Sequence, residues 1–166
     1  MEPRLVSIEF QTLSFTNSKD IRVEGLSLNN QMFHIVINGC HDVLIQGVKI
    51  IAAGNSPNTD GIHVQFSKNV AIFDTSIKTR DDCVSIGPGA KDLWMERISC
   101  GPDHGIRTYE NMLEAVAVKF DCSATNPCTK IRLENVNLTC RKQVVQSICT
   151  NVNGQSVGSV HPDSCL

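Results

Sequence analysis

The chain of 166 residues contains no apolar run of the ~18 residues that a membrane-crossing helix needs. It has no cluster of Lys and Arg, and its formal net charge is -2, so nucleic acid and anionic membranes are poor partners for it. It has no C-x2-C pair, which argues against a structural zinc site despite eight cysteines. Residues 1–15 (MEPRLVSIEFQTLSF) lack the basic start, apolar block and small-residue cleavage site of a secretory leader. No segment shows the apolar period of a helix. The length suits one domain with a real core, spanning 1–166.

The eight cysteines, at 40, 83, 100, 122, 128, 140, 149 and 165, suit an oxidising compartment. The sequon Asn137-Leu138-Thr139 is consistent with secretion. Secretory features without a leader lead us to expect that the chain lacks its true start.

What is abundant is alternation. Five segments share a polar start followed by alternating apolar residues: KDIRVEGLSL (19–28), HDVLIQGVKI (41–50), KNVAIFDTSI (68–77), KDLWMERISC (91–100) and TKIRLENVNL (129–138). Ile21, Val43, Val70, Leu93 and Ile131 are equivalent, at spacings of 22, 27, 23 and 38. A second set interleaves with them: FHIVINGC, GIHVQFSK, CVSIGPGA and the start of GIRTYE. Short strands at a period of 22 to 27, with Gly and Asn at their ends, predict an all-β solenoid rather than an antiparallel sandwich, whose strands recur every ~8–12 residues. Each coil buries its apolar face only against its neighbours.

The stretch TRDDCVSIGPG (79–89) places Asp81 and Asp82 side by side. A solvated turn is the commoner setting for aspartate. Here, however, Asp60, Asp82 and His104 follow one another at equal intervals, each the length of the shortest coil in the repeat. At that period the three form a column on successive coils, with Asp81 beside it. Carboxylates so close raise at least one carboxyl pKa. A protonated acid beside a carboxylate base is what acid–base hydrolysis of a glycosidic bond requires.

The blocks NTDGIHV (58–64), DDCVSIGPG (81–89) and CGPDHGI (100–106) resemble the signature motifs of plant-type polygalacturonases, glycoside hydrolase family 28. Residues 117–140 resemble a C-terminal coil of the same enzymes. The resemblance implies a right-handed parallel β-helix, here shortened, and inverting hydrolysis of α-1,4-galacturonosyl linkages in pectin without a metal or other cofactor. It implies Asp81 as general acid and Asp60 with Asp82 as holders of the water. It assigns His104 to the protonation of that cluster and Asn58 to substrate binding. It pairs Cys83 with Cys100, Cys122 with Cys128 and Cys149 with Cys165, and leaves Cys40 and Cys140 open. Its members imply a secreted, cell-wall location and a monomer whose partner is pectin. Adjacent coils would set Asp60 and Asp82 ~5 Å apart, whereas inverting enzymes usually separate their carboxyls by ~6.5–9.5 Å. The inverting assignment therefore rests on the family.

The chain also departs from the family. The Arg-Ile-Lys-Thr motif that binds a substrate carboxylate is missing. Arg107 and Thr108 follow the histidine block without a matching lysine, and Lys119 carries no motif. Residues 104–106 and 115–120 both read as second-set strands, half a coil apart, with no complete first-set strand between them. We expect an internal deletion junction near 106–110. Arg80 replaces a usual Gly, which is expected to favour ionised Asp81 and strain the turn; Asp103 also replaces a Gly. His63 reads as a structural or groove residue, Trp94 and Phe120 as packing residues, and His34 and His41 as corner or surface residues. The competing functions are a non-catalytic truncated β-helix and a calcium-dependent pectate lyase.

Overall fold

The computed structural model describes residues 6–9, 12–30, 34–52, 59–101, 105–108, 116–139 and 146–166. Among them run eighteen strands, numbered in chain order, which line three walls of a parallel β-helix. The first wall is a seven-stranded sheet of β2 (Leu13–Thr16), β5 (Ile35–Asn38), β8 (Ile62–Gln65), β11 (Val84–Ile86), β14 (Ile106–Thr108), β15 (Val116–Asp121) and β17 (Gln146–Thr150). The second holds β3 (Lys19–Glu24), β6 (His41–Gln46), β9 (Lys68–Phe73), β12 (Lys91–Glu96), β16 (Cys128–Leu138) and β18 (Val152–His161). The third holds β1 (Val6–Glu9), β4 (Leu26–Asn30), β7 (Lys49–Ala52), β10 (Ser76–Lys78) and β13 (Ser99–Cys100), and joins the second through the long β16. All pairings between these strands are parallel.

The expected repeat positions stack in register. Ile21, Val43, Val70, Leu93 and Ile131 form one column. Ile35, Ile62, Val84, Ile106 and Val118 form another on the facing wall. Every one of these side chains is buried, most of them completely. Burying such a side chain is worth roughly 1.5–3 kcal/mol, and β-branched residues suit a pleated surface. These columns are what stabilises the stack.

Four of the five first-set segments prove to be two strands each, on two walls, and the fifth lies within the single long β16, which pairs with strands of both. The corner falls at Gly25, Gly47, Asp74, Arg97 and Asn135, all with φ between 49° and 63°. A second left-handed corner runs through Asp20, Asp42, Asn69, Asp92 and Lys130. Asp and Asn tolerate that conformation best among residues with a side chain. Stacked carboxylates would repel, and beyond the Asp20–Asp42 pair the column sets other groups beside them: Asn69 Nδ2 donates to Asp42 Oδ1 at 2.6 Å, and Lys130 Nζ lies 3.2 Å from Asp92.

One step breaks the period. Ile106 pairs with Val118 and Arg107 with Lys119, so β14 and β15 are neighbours on the first wall although only about half a coil of chain links them. No described strand of the other walls lies between them, and β12 and β13 pair directly with β16. The two half-coil segments therefore belong to one wall, as their pattern suggests.

Candidate active site

Two members of the evenly spaced column, Asp60 and Asp82, keep their backbone register: each stands two positions before one of the partners Ile62 and Val84 on β8 and β11. The Gly61 N–H donates to the Asp82 carbonyl at 2.8 Å, and the Cys83 N–H donates to the Gly105 carbonyl at 2.8 Å. These bonds carry the ladder into the segments that bear the carboxylates. Gly61 is required there, because a Cβ would come within 2.6 Å of the Cys83 carbonyl and of Ile77.

Asp60, Asp81 and Asp82 converge, each offering an oxygen within 4.8 Å of the others. Asp60 is 7% exposed, and the other two are half-buried. The Asp81 Oδ1 accepts from the Asp82 N–H at 3.0 Å, and its carbonyl accepts from the Thr79 hydroxyl at 3.0 Å. Such a group can share a proton or a cation. Asn58 and His104 lie outside the described residues, as do Asp103 and Cys140.

The pKa of Asp60 is raised. Burial is the main cause, and the charge of Asp81 adds to it; a hydrogen bond from Ser85, the charge of His63 and a backbone contact at Asp82 oppose it. Repulsion between carboxylates is thus present but secondary to desolvation.

Ser85 is the residue that the motifs did not single out. Its hydroxyl donates to Asp60 Oδ2 at 2.7 Å and lies 2.8 Å from His63 Nδ1. The signal was available, because His63 and Ser85 share the interval that links Asp60 to Asp82 and are partners in register.

Of the other expectations, those for His34 and for strain at Arg80 change, while those for His41, Phe120 and Trp94 hold. His34 is not a surface residue: it is fully buried, with its N–H 3.3 Å and its Nδ1 3.4 Å from the Asp60 carbonyl, so it packs beneath the site's backbone. His41 is exposed at the start of β6. Arg80 is exposed and has no left-handed φ, so the turn accepts it without the strain expected of a lost glycine. Phe120 is a core residue. Trp94 packs on the outside of the second wall, edge-on to Phe73 at 5.1 Å and beneath Arg132 at 4.9 Å.

Three disulfides join Cys83 to Cys100, Cys122 to Cys128 and Cys149 to Cys165, while Cys40 is a buried free thiol. The first follows Asp82 directly and ties the acidic turn to β13.

Comparison with known proteins gives a consistent picture. The family model described as glycosyl hydrolases family 28 matches residues 7–108. A polygalacturonase of Prunus persica is 36% identical over 245 residues, covering 93% of this chain and 62% of that protein. An exopolygalacturonase of Platanus acerifolia is 46% identical over 101 residues, covering 61% of this chain and 26% of that protein. An exopolygalacturonase of Arabidopsis thaliana is 38% identical over 130 residues, covering 75% and 30%. The chain thus spans from about a quarter to about three fifths of the length of these relatives.

Proposed function

Since this chain belongs to family 28 of the glycosyl hydrolases, we propose that its carboxylate cluster hydrolyses α-1,4-galacturonosyl linkages of pectin. The observation that carries this reading is the convergence of Asp60, Asp81 and Asp82 within 4.8 Å on coils held in register. In the proposed reaction Asp81 donates a proton to the leaving glycosidic oxygen. Asp60 and Asp82 hold a water and take its proton as its oxygen attacks the anomeric carbon. The raised pKa falls on the base Asp60, and a raised pKa makes an ionised carboxylate the stronger base. The family resemblance assigns His104 and Asn58 to the same site, as neighbours of the sugar.

The substrate carries one carboxylate per sugar and must approach three aspartates. Arg107 and Lys119 occupy adjacent register positions on β14 and β15, in the column of His63 and Ser85. We place a compensating positive charge at Lys119. The location we propose is secreted, at the cell wall, where pectin lies.

The half-coil step from β14 to β15 is read as the junction of an internal deletion near 106–110. Two observations support it. The family model's match ends at Thr108. The match to the Prunus persica protein runs over 245 residues, of which 93% of this chain supplies about 154, leaving about 90 positions of that relative without a counterpart. The same step favours the second reading, a β-helix that binds pectin without cleaving it.

Release of reducing ends from polygalacturonate near pH 5 separates the two. Folded protein should release them, and Asp81→Asn should abolish release with an unchanged circular dichroism spectrum. No release from folded parent protein sinks the hydrolase reading in favour of the binding one. Release that needs calcium and yields unsaturated, ultraviolet-absorbing products makes the chain a lyase.

A further inference from the structure

The hydroxyl of Ser85 touches two titratable groups at once: Asp60 Oδ2 at 2.7 Å and His63 Nδ1 at 2.8 Å. Ser85 is 1% exposed and His63 half-buried, so water competes little for either bond. Their meeting is built into the backbone, since His63 and Ser85 are register partners on β8 and β11 and in-register neighbours share a face.

Proton counting fixes the direction of this chain. A hydroxyl has one proton to give, and an ionised carboxylate can only accept. While Asp60 is ionised, Ser85 donates to it, and His63 must donate its Nδ1–H to the Ser85 oxygen. A His63 protonated only on Nε2 would instead draw the hydroxyl proton to its own Nδ1 and leave Asp60 Oδ2 without a donor.

We propose that Ser85 and His63 are positioning residues for Asp60: the hydroxyl caps Oδ2, and the imidazole Nδ1–H holds the hydroxyl in that orientation. The inference rests on the reading of Asp60 as a base of hydrolysis. It also names what opposes the protonation of this buried carboxylate. Burial and the charge of Asp81 push Asp60 towards its protonated form, and the Ser85 bond and the His63 charge oppose them. Among the described residues, the other titratable groups near the wire are Asp81 and Asp82 on the entry turn and Lys119 in the register column of His63.

The test uses Ser85→Ala, His63→Leu and His63→Asn; the last keeps an N–H donor near the position of Nδ1. Asp60 is followed without substrate, through its 13C carboxyl resonance across pH, assigned with Asp60→Asn. Ser85→Ala should move the Asp60 midpoint to higher pH, because it removes a bond that favours the charged form. His63→Leu should move it the same way and His63→Asn should bring it back, a rescue that mere packing would not produce. In turnover, the kcat/KM of Ser85→Ala near pH 4 should fall about tenfold further than near pH 6, the worth of one bond to a charged acceptor, with KM little changed.

An Asp60 midpoint that does not move in folded Ser85→Ala overturns the inference, while turnover by the parent leaves the hydrolase reading standing. A midpoint that moves in a parent without turnover does the reverse: the wire stands and hydrolysis falls. If Ser85→Ala does not fold, the His63→Leu and His63→Asn pair decides by itself.

Discussion

Replacing Cys83 and Cys100 together by alanine should destabilise the chain by about 3 kcal/mol through loop closure. The bridge spans a sequence separation of 17, and closing a loop of that length removes about 3 kcal/mol of entropy from the unfolded ensemble. Both sulfurs are buried, at 0% and 3% exposure, so lost packing adds to that figure. For a chain of this length the loss corresponds to a Tm lower by roughly 6–12 °C. The assay is urea unfolding followed by far-ultraviolet circular dichroism, extrapolated linearly to water. A matched control is available: Cys149–Cys165 has a separation of 16, so its removal should be worth nearly the same. The two should differ in turnover. Cys83 follows Asp82, whose carbonyl accepts the Gly61 N–H, so only the first pair should also loosen the carboxylate cluster. A loss below about 1 kcal/mol would show that the unfolded chain without the bridge keeps enough structure to restrain the loop, against the loop-entropy reasoning. Equal turnover loss in both variants would show that the acidic turn does not depend on its staple.

Two further outcomes are expected. Gly61→Ala should destabilise by about 1–3 kcal/mol in chemical unfolding, because the new methyl meets a carbonyl of the next coil at 2.6 Å; an unaffected midpoint would mean that β8 and β11 part easily. Asp60→Asn should stabilise the fold more as pH rises. A carboxyl whose folded pKa is raised contributes stability below its unfolded pKa and loses it as pH climbs through the folded value, so removing the charge removes that loss. A parallel pair of stability–pH curves for parent and variant would refute the assignment of strain to Asp60.

The even coil length made much of this legible. It placed Ile62 over Val84 and Asp60 over Asp82 before any coordinate, because a coil of fixed length turns sequence distance into vertical alignment. It did not separate the second wall from the third. A left-handed corner residue at Gly25 or Asp74 redirects the strand yet takes up only one position, so apolar alternation runs through the bend almost unbroken. Ser85 went unremarked for a different reason. Serine on an outward strand position carries no motif, and its role appears only when the spacing that links the aspartates is applied to His63. His34 was misplaced because polarity suggests surface, whereas its register partner Gly61 lies in the buried entry to β8.

The step from β14 to β15 also has a consequence for shape. Among the described residues it gives the first wall seven rungs, while β3, β6, β9, β12, β16 and β18 give the second wall six. One surplus rung of about 4.8 Å, set against walls about 10 Å apart, is a wedge of roughly 25°. Like a tapered stone in an arch, a wedge of that size would turn the stack away from the first wall, and a stiff polymer lying along Asp60 and Asp82 would then meet Lys119 over a crest rather than along a straight trench.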